Sequence, residues 1–411
     1  MPEYYDSLET RPPEERERAL LAALPGQISH AKRNAAGWAR ILSGVDATAV
    51  ASRAALAGLP VTRKSDLIAL QKAERPFGGL NALSVSKLGK VFVSPGPIYD
   101  PEGQGRDWWR TARALFAAGF RPGDLALNTF AYHFTPAGSM LESGALALGC
   151  SVVPGGVGQT EMQVATIADL GANAYMGTPS FLKLIVDKAE ELKRDITSLK
   201  KAAVAAEYLP PALRAAMGER GIRVIQSYAS ADLGLIAYES EAIEGMILDE
   251  ALILEIVRPG TGDPVTEGEV GEVVITTFNP DYPLIRFGTG DLSAVLSGMS
   301  PCGRTNTRIR GWMGRADQTT KVKGMFVHPS QVAEVVKRHR EIAKARLIVN
   351  NPDGADRMTL HCEVAAGSDA LQAAIEASLR DITQLRGEVA FRKMGELPND
   401  GKVIEDAKKY E

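Results

Sequence analysis

The chain has 411 residues, 45% of them hydrophobic and 24% charged, and its 47 basic and 50 acidic side chains give a formal net charge of −3. These values are ordinary for a soluble globular protein. They argue against three classes of protein: a disordered tail protein, a collagen and a small domain held together by disulfides. They offer no global electrostatic basis for binding a nucleic acid polymer or an anionic membrane.

The cysteines and the N-terminus narrow the class of protein further. Cys150, Cys302 and Cys362 are far apart and form no C-x-x-C pair, so neither a disulfide framework nor a four-cysteine zinc site is predicted. The first residues are polar and charged, without the apolar stretch of a secretory signal, and no run of about 18 apolar residues occurs. The sequence therefore predicts a cytoplasmic protein without a membrane segment.

The first two thirds of the chain show two kinds of pattern. Residues 1–87 have apolar side chains at helical spacing and predict a helical lead-in. Strand and helix patterns then alternate up to about residue 292, which indicates a largely parallel sheet with helices on both faces. The predicted strands are 90–94, 121–130, 151–156, 173–180, 202–207 and 223–228, and the predicted helices are 105–120, 137–150, 161–171, 181–192 and 210–221.

The pattern changes in the last third. From about 245 to 317, period-2 alternation with Gly and Pro turns predicts a β-rich subdomain. After 317 the order helix, strand, strand, helix, strand predicts a small α+β unit with helices on an antiparallel sheet. The predicted fold class is therefore α/β, with a large N-terminal domain at 1–317 and a small C-terminal α+β domain at 318–411.

Several motifs in fixed order carry a family resemblance. They are AAEYLPP, SYASADLG, LIRFGTGD at 284–291 and CGRTNTRIRGWMGRADQTTKVKGMFVHPSQVAEVV at 302–336. Together with YYDSLET and LPVTRKSDL near the N-terminus, they resemble the phenylacetate–CoA ligase branch of the adenylate-forming (AMP-forming acyl-CoA synthetase) superfamily over nearly the whole chain. The resemblance implies the adenylate-forming enzyme fold, in which the C-terminal domain is a mobile lid.

Asp291 and Arg315 are candidates for binding the ribose. Asp291 follows Gly-Thr-Gly, where a carboxylate can accept hydrogen bonds from ribose hydroxyls or from its own backbone. The planar fork of Arg315 can donate to ribose or phosphate. The resemblance favours ribose binding by Asp291 and implies that Asp317 is the hinge between the domains.

Glu207, Tyr228 and Asp232 follow two of the predicted strands. The resemblance implies that Glu207 and Tyr228 build the adenine pocket, with the tyrosine ring stacked on the base, although a tyrosine at a strand end is also typical of a core edge. Asp232 stands where the family usually has a glutamate that binds Mg²⁺. Aspartate is a competent but shorter oxygen ligand.

Lys402 in the tail and an aromatic segment complete the candidate site. The resemblance implies that Lys402 bridges the carboxylate and the α-phosphate during adenylation, as a mobile point charge can; the alternative is a solvated tail lysine. Tyr132, His133 and Phe134 match the segment that lines the acyl pocket in the family. They predict an aromatic wall for an aryl or other hydrophobic acid, or otherwise a buried strand–helix corner.

The stretch 94–103, SPGPIYDPEG, corresponds to the phosphate loop of the family. Such loops cradle the triphosphate with backbone N–H groups and hydroxyls. Ser94 and Gly96 fit this role and are candidate nucleotide-binding residues. Pro95 and Pro97 do not fit, since each removes a backbone donor.

Asp100 and Glu102 also bring negative charge to this stretch. Two hypotheses follow. In the first, the protein is a ligase that uses ATP, Mg²⁺ and CoA to activate a small carboxylic acid. In the second, it is ligase-like but binds nucleotide, acyl-CoA or aryl acid without adenylating. A homodimer is a further expectation from the resemblance.

Overall fold

The computed structural model describes residues 3–94, 96–258, 261–316, 320–322, 325–327, 329–352, 356–398, 400 and 402–408. The helices are α1 Pro13–Asn34, α2 Ala36–Ile41, α3 Arg53–Ala57, α4 Leu67–Ala73, α5 Ala112–Ala117, α6 Ala137–Ala147, α7 Thr160–Leu170, α8 Pro179–Glu191, α9 Pro211–Glu219, α10 Pro329–Arg338 and α11 Asp369–Thr383. The strands are β1 Thr62–Arg63, β2 Lys90–Ser94, β3 Ile98–Glu102, β4 Leu125–Asn128, β5 Ser151–Pro154, β6 Ala174–Gly177, β7 Lys201–Val204, β8 Arg223–Ser230, β9 Gly234–Tyr238, β10 Met246–Leu248, β11 Leu252–Val257, β12 Gly271–Thr277, β13 Phe287–Ser293, β14 Val295–Leu296, β15 Arg308–Ile309, β16 Thr320–Val322, β17 Met325–Val327, β18 Ile342–Asn350, β19 Arg357–Val364, β20 Glu388–Arg392 and β21 Ile404–Asp406.

The largest sheet has the strand order β14-β15-β10-β9-β8-β7-β6-β4-β5. Its β5-β4-β6-β7-β8 half is parallel, as the alternation of strand and helix patterns predicted. Successive residues of a strand enter opposite hydrophobic clusters: Tyr175 and Val224 on one face, Met176 and Ile225 on the other. Both faces are covered, so the carboxyl ends of the parallel strands form the exposed functional edge.

A second sheet, β1-β13-β12-β11, is antiparallel except for the parallel β1–β13 pair. It belongs to the predicted β-rich region, and β1 joins it from the helical lead-in. Buried side chains such as Leu254, Ile275 and Phe287 share one core with Leu24 and Trp38 of the first helices. This core fixes where β13, and the residues that follow it, lie.

The C-terminal sheet has the order β20-β19-β18-β21. The prediction of an antiparallel sheet was wrong in part: β18–β19 is antiparallel, but β20 and β21 pair in parallel with their neighbours. β20 follows the α11 crossover, which returns the chain in the same direction, and β21 comes from the C-terminal tail, for which no strand was predicted. The proposed division at 317/318 falls outside the described residues, so the two-domain boundary stays a prediction.

The predicted long helix at 105–120 was also wrong. Helix α5 covers Ala112–Ala117 alone. Asp107 and Arg110 have φ values of 50° and 63°, which a continuous helix does not allow. The Asp107 carboxylate accepts a hydrogen bond from the Ala112 N–H at 3.1 Å and so marks the start of the shorter helix.

Among the described residues no helix is long and apolar enough to cross a membrane.

Arg286, 1% exposed, ties the lead-in to the β-rich sheet at the base of β13. Its Nε donates to the Glu255 carboxylate at 3.0 Å. Its Nη atoms donate to the carbonyls of Ala57 at 2.8 Å, Gly262 at 2.7 Å and also Leu59. Every branch of the guanidinium is thus engaged, which stabilises a buried charge.

We expect Arg286→Leu to lower the free energy of unfolding by about 3–5 kcal/mol, because the Glu255 carboxylate stays buried without its cation. Urea denaturation followed by circular dichroism measures this. The exposed pair Arg40–Glu74 provides the control: Arg40→Leu should cost less than about 1 kcal/mol. Equal small losses for both variants would show that Arg286 does not hold the two regions together.

Candidate active site

A cavity of about 910 Å³ opens at the carboxyl ends of β7 and β8. Its walls come from the segment after β7, from the end of β8, from β13 and from the residues before Arg315. Among the residues lining it are Glu207, Tyr208, Gln226, Tyr228, Asp291 and Trp312. The structure therefore brings together three of the predicted nucleotide-binding residues, which lie far apart in sequence.

Three side chains donate to the carboxylate of Asp291. The Tyr228 hydroxyl donates to Oδ2 at 2.8 Å, and the Trp312 indole N–H and Arg315 Nη1 each donate to Oδ1 at 3.1 Å. The Asp291 side chain is only 14% exposed, whereas that of Arg315 is 43% exposed. Asp291 is thus a partly buried carboxylate whose position is fixed by charge-assisted hydrogen bonds.

Backbone pairing brings Arg315 to Asp291. The chain from Met313 to Ala316 runs along β13, with the Leu292 N–H donating to the Gly314 carbonyl at 2.8 Å and the Met313 N–H donating to the Leu292 carbonyl at 2.9 Å. Gly290 has a φ of 75°, and a Cβ there would lie 2.8 Å from Arg315 Nη2. Glycine at this position therefore leaves room for the guanidinium.

Tyr228 and Glu207 form the other side of the cavity. Burial and the negative charge of Asp291 raise the pKa of Tyr228 well above its usual value, so its hydroxyl stays a neutral donor. Glu207 is exposed and accepts from the Ser180 N–H at 3.2 Å. The left-handed Ala206, with a φ of 69°, turns the chain before Glu207.

A second charged cluster lies beneath the stretch that was predicted to be a phosphate loop. The stretch is not a simple loop: β2 and β3 form an antiparallel hairpin that begins at Lys90 and ends at Glu102. Ser94 is buried and donates weakly, at 3.5 Å, to the Ile98 carbonyl, and Gly96 lies in the turn of the hairpin. The strand after the turn carries Asp100 into the interior, where it is 0% exposed.

Lys64, Asp100 and Asp232 make up this cluster. The Lys64 ammonium lies 2.5 Å from Asp232 Oδ2. Burial and the charge of Asp232 raise the pKa of Asp100 to about 7, although Lys64 opposes this shift. The pKa of Lys64 is raised because the attraction of Asp232 and Asp100 outweighs the effect of burial. Asp232 therefore has Lys64 and the carboxyl group of Asp100 as neighbours. Its position in the sequence did not indicate either of them.

Most of the aromatic segment 132–134 is exposed. Asn128 donates from its side-chain nitrogen to the Tyr132 hydroxyl at 2.8 Å. His133 is exposed, and Phe134 is 76% exposed with a φ of 63°. The Phe134 carbonyl accepts from the Val93 N–H at 2.7 Å and so joins this segment to β2. In this conformation only Tyr132 is half-buried, and the three rings do not form a closed wall.

Lys402 and Asp317 are the remaining predicted site residues. Lys402 lies in the tail before β21, and its backbone N–H donates to the Asp400 carboxylate at 3.1 Å. Within the described part of the chain, no hydrogen bond or ion pair joins its ammonium to Tyr228, Asp291 or Arg315. Asp317, the predicted hinge, lies outside the described residues.

Sequence reasoning missed the roles of Trp312, Lys64 and Asp100 in these clusters. Trp312 stands three residues before Arg315, and the extended pairing with β13 places it on the same carboxylate. Lys64 lies in LPVTRKSDL, a motif that was noted only as part of the family resemblance. Lys64 and its partner Asp232 are 168 residues apart in sequence. The residues around Lys64 therefore could not predict this contact.

Comparison with known proteins defines the class. A family model described as AMP-binding enzyme matches residues 106–279. A solved structure of 2-hydroxyisobutyryl-CoA ligase in an open conformation, in complex with 2-HIB-AMP and CoA, aligns with a TM-score of 0.73 and 23% identity, over 97% of this chain and 93% of that chain. The similarity confirms the predicted fold class, that of the adenylate-forming enzymes.

Two curated relatives define the family. The phenylacetate–coenzyme A ligase of Aromatoleum evansii is 32% identical over 366 residues, which cover 84% of this chain and 81% of the relative. The phenylacetate–coenzyme A ligase of Thermus thermophilus is 31% identical over 382 residues, covering 88% and 84%. This chain belongs to the phenylacetate–CoA ligase family of adenylate-forming enzymes, which confirms the resemblance seen in its motifs.

Trp312 gives a test of the cavity. We expect Trp312→Phe, which keeps an aromatic ring but loses the N–H donor, to weaken AMP binding about tenfold, the equivalent of about 1.5 kcal/mol for a hydrogen bond to a charged group. Isothermal titration calorimetry with AMP measures the dissociation constant. Trp108→Phe is the matched control, because its indole donates at 2.8 Å to Asp281 instead. If both variants bind AMP like the wild type, Trp312 does not help position Asp291 for the nucleotide.

Proposed function

We propose that this protein is an AMP-forming acid–thiol ligase. It activates an aryl or other hydrophobic carboxylic acid with ATP to an acyl adenylate and transfers the acyl group to coenzyme A. The observation that carries the proposal is the convergence of Tyr228 and Arg315 on the carboxylate of Asp291, which lines the cavity, in a chain of the phenylacetate–CoA ligase family.

In the first half-reaction a carboxylate oxygen of the acid forms a bond to the α-phosphorus, and the bond from that phosphorus to pyrophosphate breaks. Asp291 accepts hydrogen bonds from the ribose hydroxyls, while Tyr228 and Glu207 hold the adenine side of the cavity. Arg315, partly exposed beside Asp291, donates to ribose or phosphate. Lys402 stabilises the negative charge that develops as pyrophosphate leaves.

In the second half-reaction the sulfur of coenzyme A, after losing its proton, forms a bond to the acyl carbon. The bond from that carbon to the adenylate oxygen breaks, and AMP leaves. We propose that the C-terminal unit changes its position between the two steps about a hinge at Asp317. Transfer to coenzyme A follows the activity named for the family's relatives.

Magnesium fits the position of Asp232. Its Oδ1 is buried and has no hydrogen-bond partner among the described residues, and carboxylate oxygens are the ligands that Mg²⁺ prefers. When bound, the ion supplies positive charge that offsets the triphosphate. The Lys64 ammonium, 2.5 Å from Asp232 Oδ2, adds a second positive charge beside Asp232.

The acid is proposed to lie against Tyr132, His133 and Phe134. An aryl or arylacetic acid suits aromatic partners, whose rings stack or meet edge to face. The alternative, a protein that binds its ligands without adenylating, is not favoured. The curated relatives are named as ligases, and this chain matches them over most of their length. A homodimer and a cytoplasmic location remain predictions.

Exchange of radiolabelled pyrophosphate into ATP tests the first half-reaction. We expect exchange that depends on phenylacetate or benzoate and on Mg²⁺, and release of AMP once coenzyme A is added. 2-Hydroxyisobutyrate serves as the non-aromatic comparison acid. Exchange with that acid alone would overturn the aryl preference, and no exchange with any acid of a broad panel would overturn adenylation itself.

Lys402→Ala separates the two half-reactions. We expect the variant to lose about two to three orders of magnitude in pyrophosphate exchange, because it lacks a charge that is aligned with the transition state. Thioester formation from a supplied acyl adenylate and coenzyme A should remain at the wild-type rate. Lys393→Ala, an exposed lysine of the same C-terminal unit, is the control for both assays. Equal losses in both steps would contradict the proposed role of Lys402.

A further inference from the structure

The β2–β3 hairpin is a small sheet whose position depends on side contacts. Its two strands pair with each other and with no other strand among the described residues. On one side, Gln71 of α4 donates to the Tyr99 carbonyl and accepts from the Tyr99 N–H, both at 2.8 Å. A hairpin of two strands is marginally stable by itself. Contacts of this kind therefore decide where the hairpin lies.

On its other side, the hairpin is bonded to the segment that is proposed to meet the acid. The Val93 N–H of β2 donates to the Phe134 carbonyl at 2.7 Å. Phe134 has a φ of 63°, in the left-handed region that a bulky residue rarely adopts. Such a conformation persists only where the surrounding structure holds it. The hairpin thus helps to fix a residue that is proposed to face the acid.

Ser139, in the first turn of α6, makes a second link to the hairpin. Its side chain is buried, and its hydroxyl donates to Glu102 Oε2 at 2.7 Å and accepts from the Lys90 ammonium at 2.6 Å. Lys90 and Glu102 lie opposite each other in the register of the hairpin, and Lys90 Nζ is 3.7 Å from Glu102 Oε1. One hydroxyl therefore joins both strands of the hairpin to the helix that follows the acid segment.

Asn128 holds the same segment to the large sheet. It is the last residue of β4, is 0% exposed, and donates from its side chain to the Tyr132 hydroxyl at 2.8 Å and to the Gly138 carbonyl at 2.9 Å. β4 is fixed, because it pairs with β5 on one side and β6 on the other. The segment is thus held between a fixed strand and the hairpin, so that a shift of the hairpin moves Phe134 relative to Tyr132.

We propose that Ser139 is a positioning residue that couples the binding of the triphosphate to the binding of the acid. This coupling rests on the proposed function, in which the hairpin meets the phosphates and residues 132–134 meet the acid. Two ligands that stabilise the same position of the hairpin tighten each other's binding by the same factor. Glu102 thereby gains a role in the hairpin, since its carboxylate is directed to Ser139 and Lys90.

Calorimetric titration of the full-length protein with phenylacetate tests the coupling. The titrations are done without nucleotide, with saturating AMP, and with saturating Mg²⁺ and α,β-methylene-ATP, whose methylene bridge prevents adenylate formation. We expect the triphosphate analogue to lower the dissociation constant of phenylacetate at least about fivefold. AMP, which lacks the phosphates that meet the hairpin, should change it less than about twofold. Phenylacetate should tighten the binding of the analogue by the same factor as the analogue tightens phenylacetate.

Ser139→Ala removes the hydroxyl that joins the hairpin to α6. We expect the analogue to change phenylacetate binding by this variant less than about twofold, although each ligand alone still binds. Ser143→Ala is the matched control on the same helix, because the Ser143 hydroxyl donates at 2.8 Å to the Met140 carbonyl within α6. It should keep the coupling of the wild type. Equal coupling in the wild type and both variants would show that Ser139 does not transmit it.

The outcome in the wild type separates the coupling from the proposed function. Binding of both ligands without any mutual effect overturns the coupling and leaves the ligase proposal intact, whereas failure to bind either ligand contradicts the ligase proposal and the coupling together. Thermal melts followed by circular dichroism check that Ser139→Ala folds. If it does not, Glu102→Ala, which removes the same hydrogen bond from the side of the hairpin, must lose the coupling, and wild-type coupling in that variant contradicts the proposal.

Discussion

The partly buried carboxylate of Asp291 is the group on which the geometry of the site depends. A charge with 14% of its side chain exposed needs donors, and its donors come from β8, through Tyr228, and from the chain after β15, through Trp312 and Arg315. Satisfying one carboxylate therefore joins the edge of the parallel sheet to the β-rich sheet.

The sequence was sufficient to predict the position of a residue in the fold where that position follows from the local pattern of strands, helices and motifs. Buried strands alternating with helices predicted the parallel half of the large sheet, and this placed Glu207 and Tyr228 at strand ends on the same edge. Asp291 and Arg315 were identified through their motifs, and the structure brings them together where Gly290 of β13 leaves the space that the guanidinium fills. At these residues the position expected from the local motif agrees with the position that the fold gives them.

Prediction failed where one backbone conformation or one distant partner decided the structure. The helical pattern at 105–120 is real, but Asp107 and Arg110 at positive φ shorten it to α5. The resemblance placed Asp100 and Glu102 in a loop, whereas pairing with β2 makes Ile98–Glu102 a strand. The contact of Lys64 with Asp232 joins the lead-in to a turn of the large sheet, and nothing near either residue encodes that pairing.

If the nucleotide binds as proposed, the two charged clusters hold different parts of it, and the C-terminal tail adds the charge of Lys402. Three protein donors hold the Asp291 carboxylate, whereas the cluster of Lys64, Asp100 and Asp232 has carboxylate oxygens without a hydrogen-bond partner among the described residues. In the described part of the chain Lys402 joins neither cluster: its backbone N–H donates to the Asp400 carboxylate, which in turn pairs with Arg346 of β18. These contacts attach the tail to the C-terminal sheet. If Lys402 acts in adenylation as proposed, it reaches the phosphates only when the sheet and the tail move together. The same attachment would then withdraw its charge when the unit turns for thioester formation, so that one lysine serves one half-reaction.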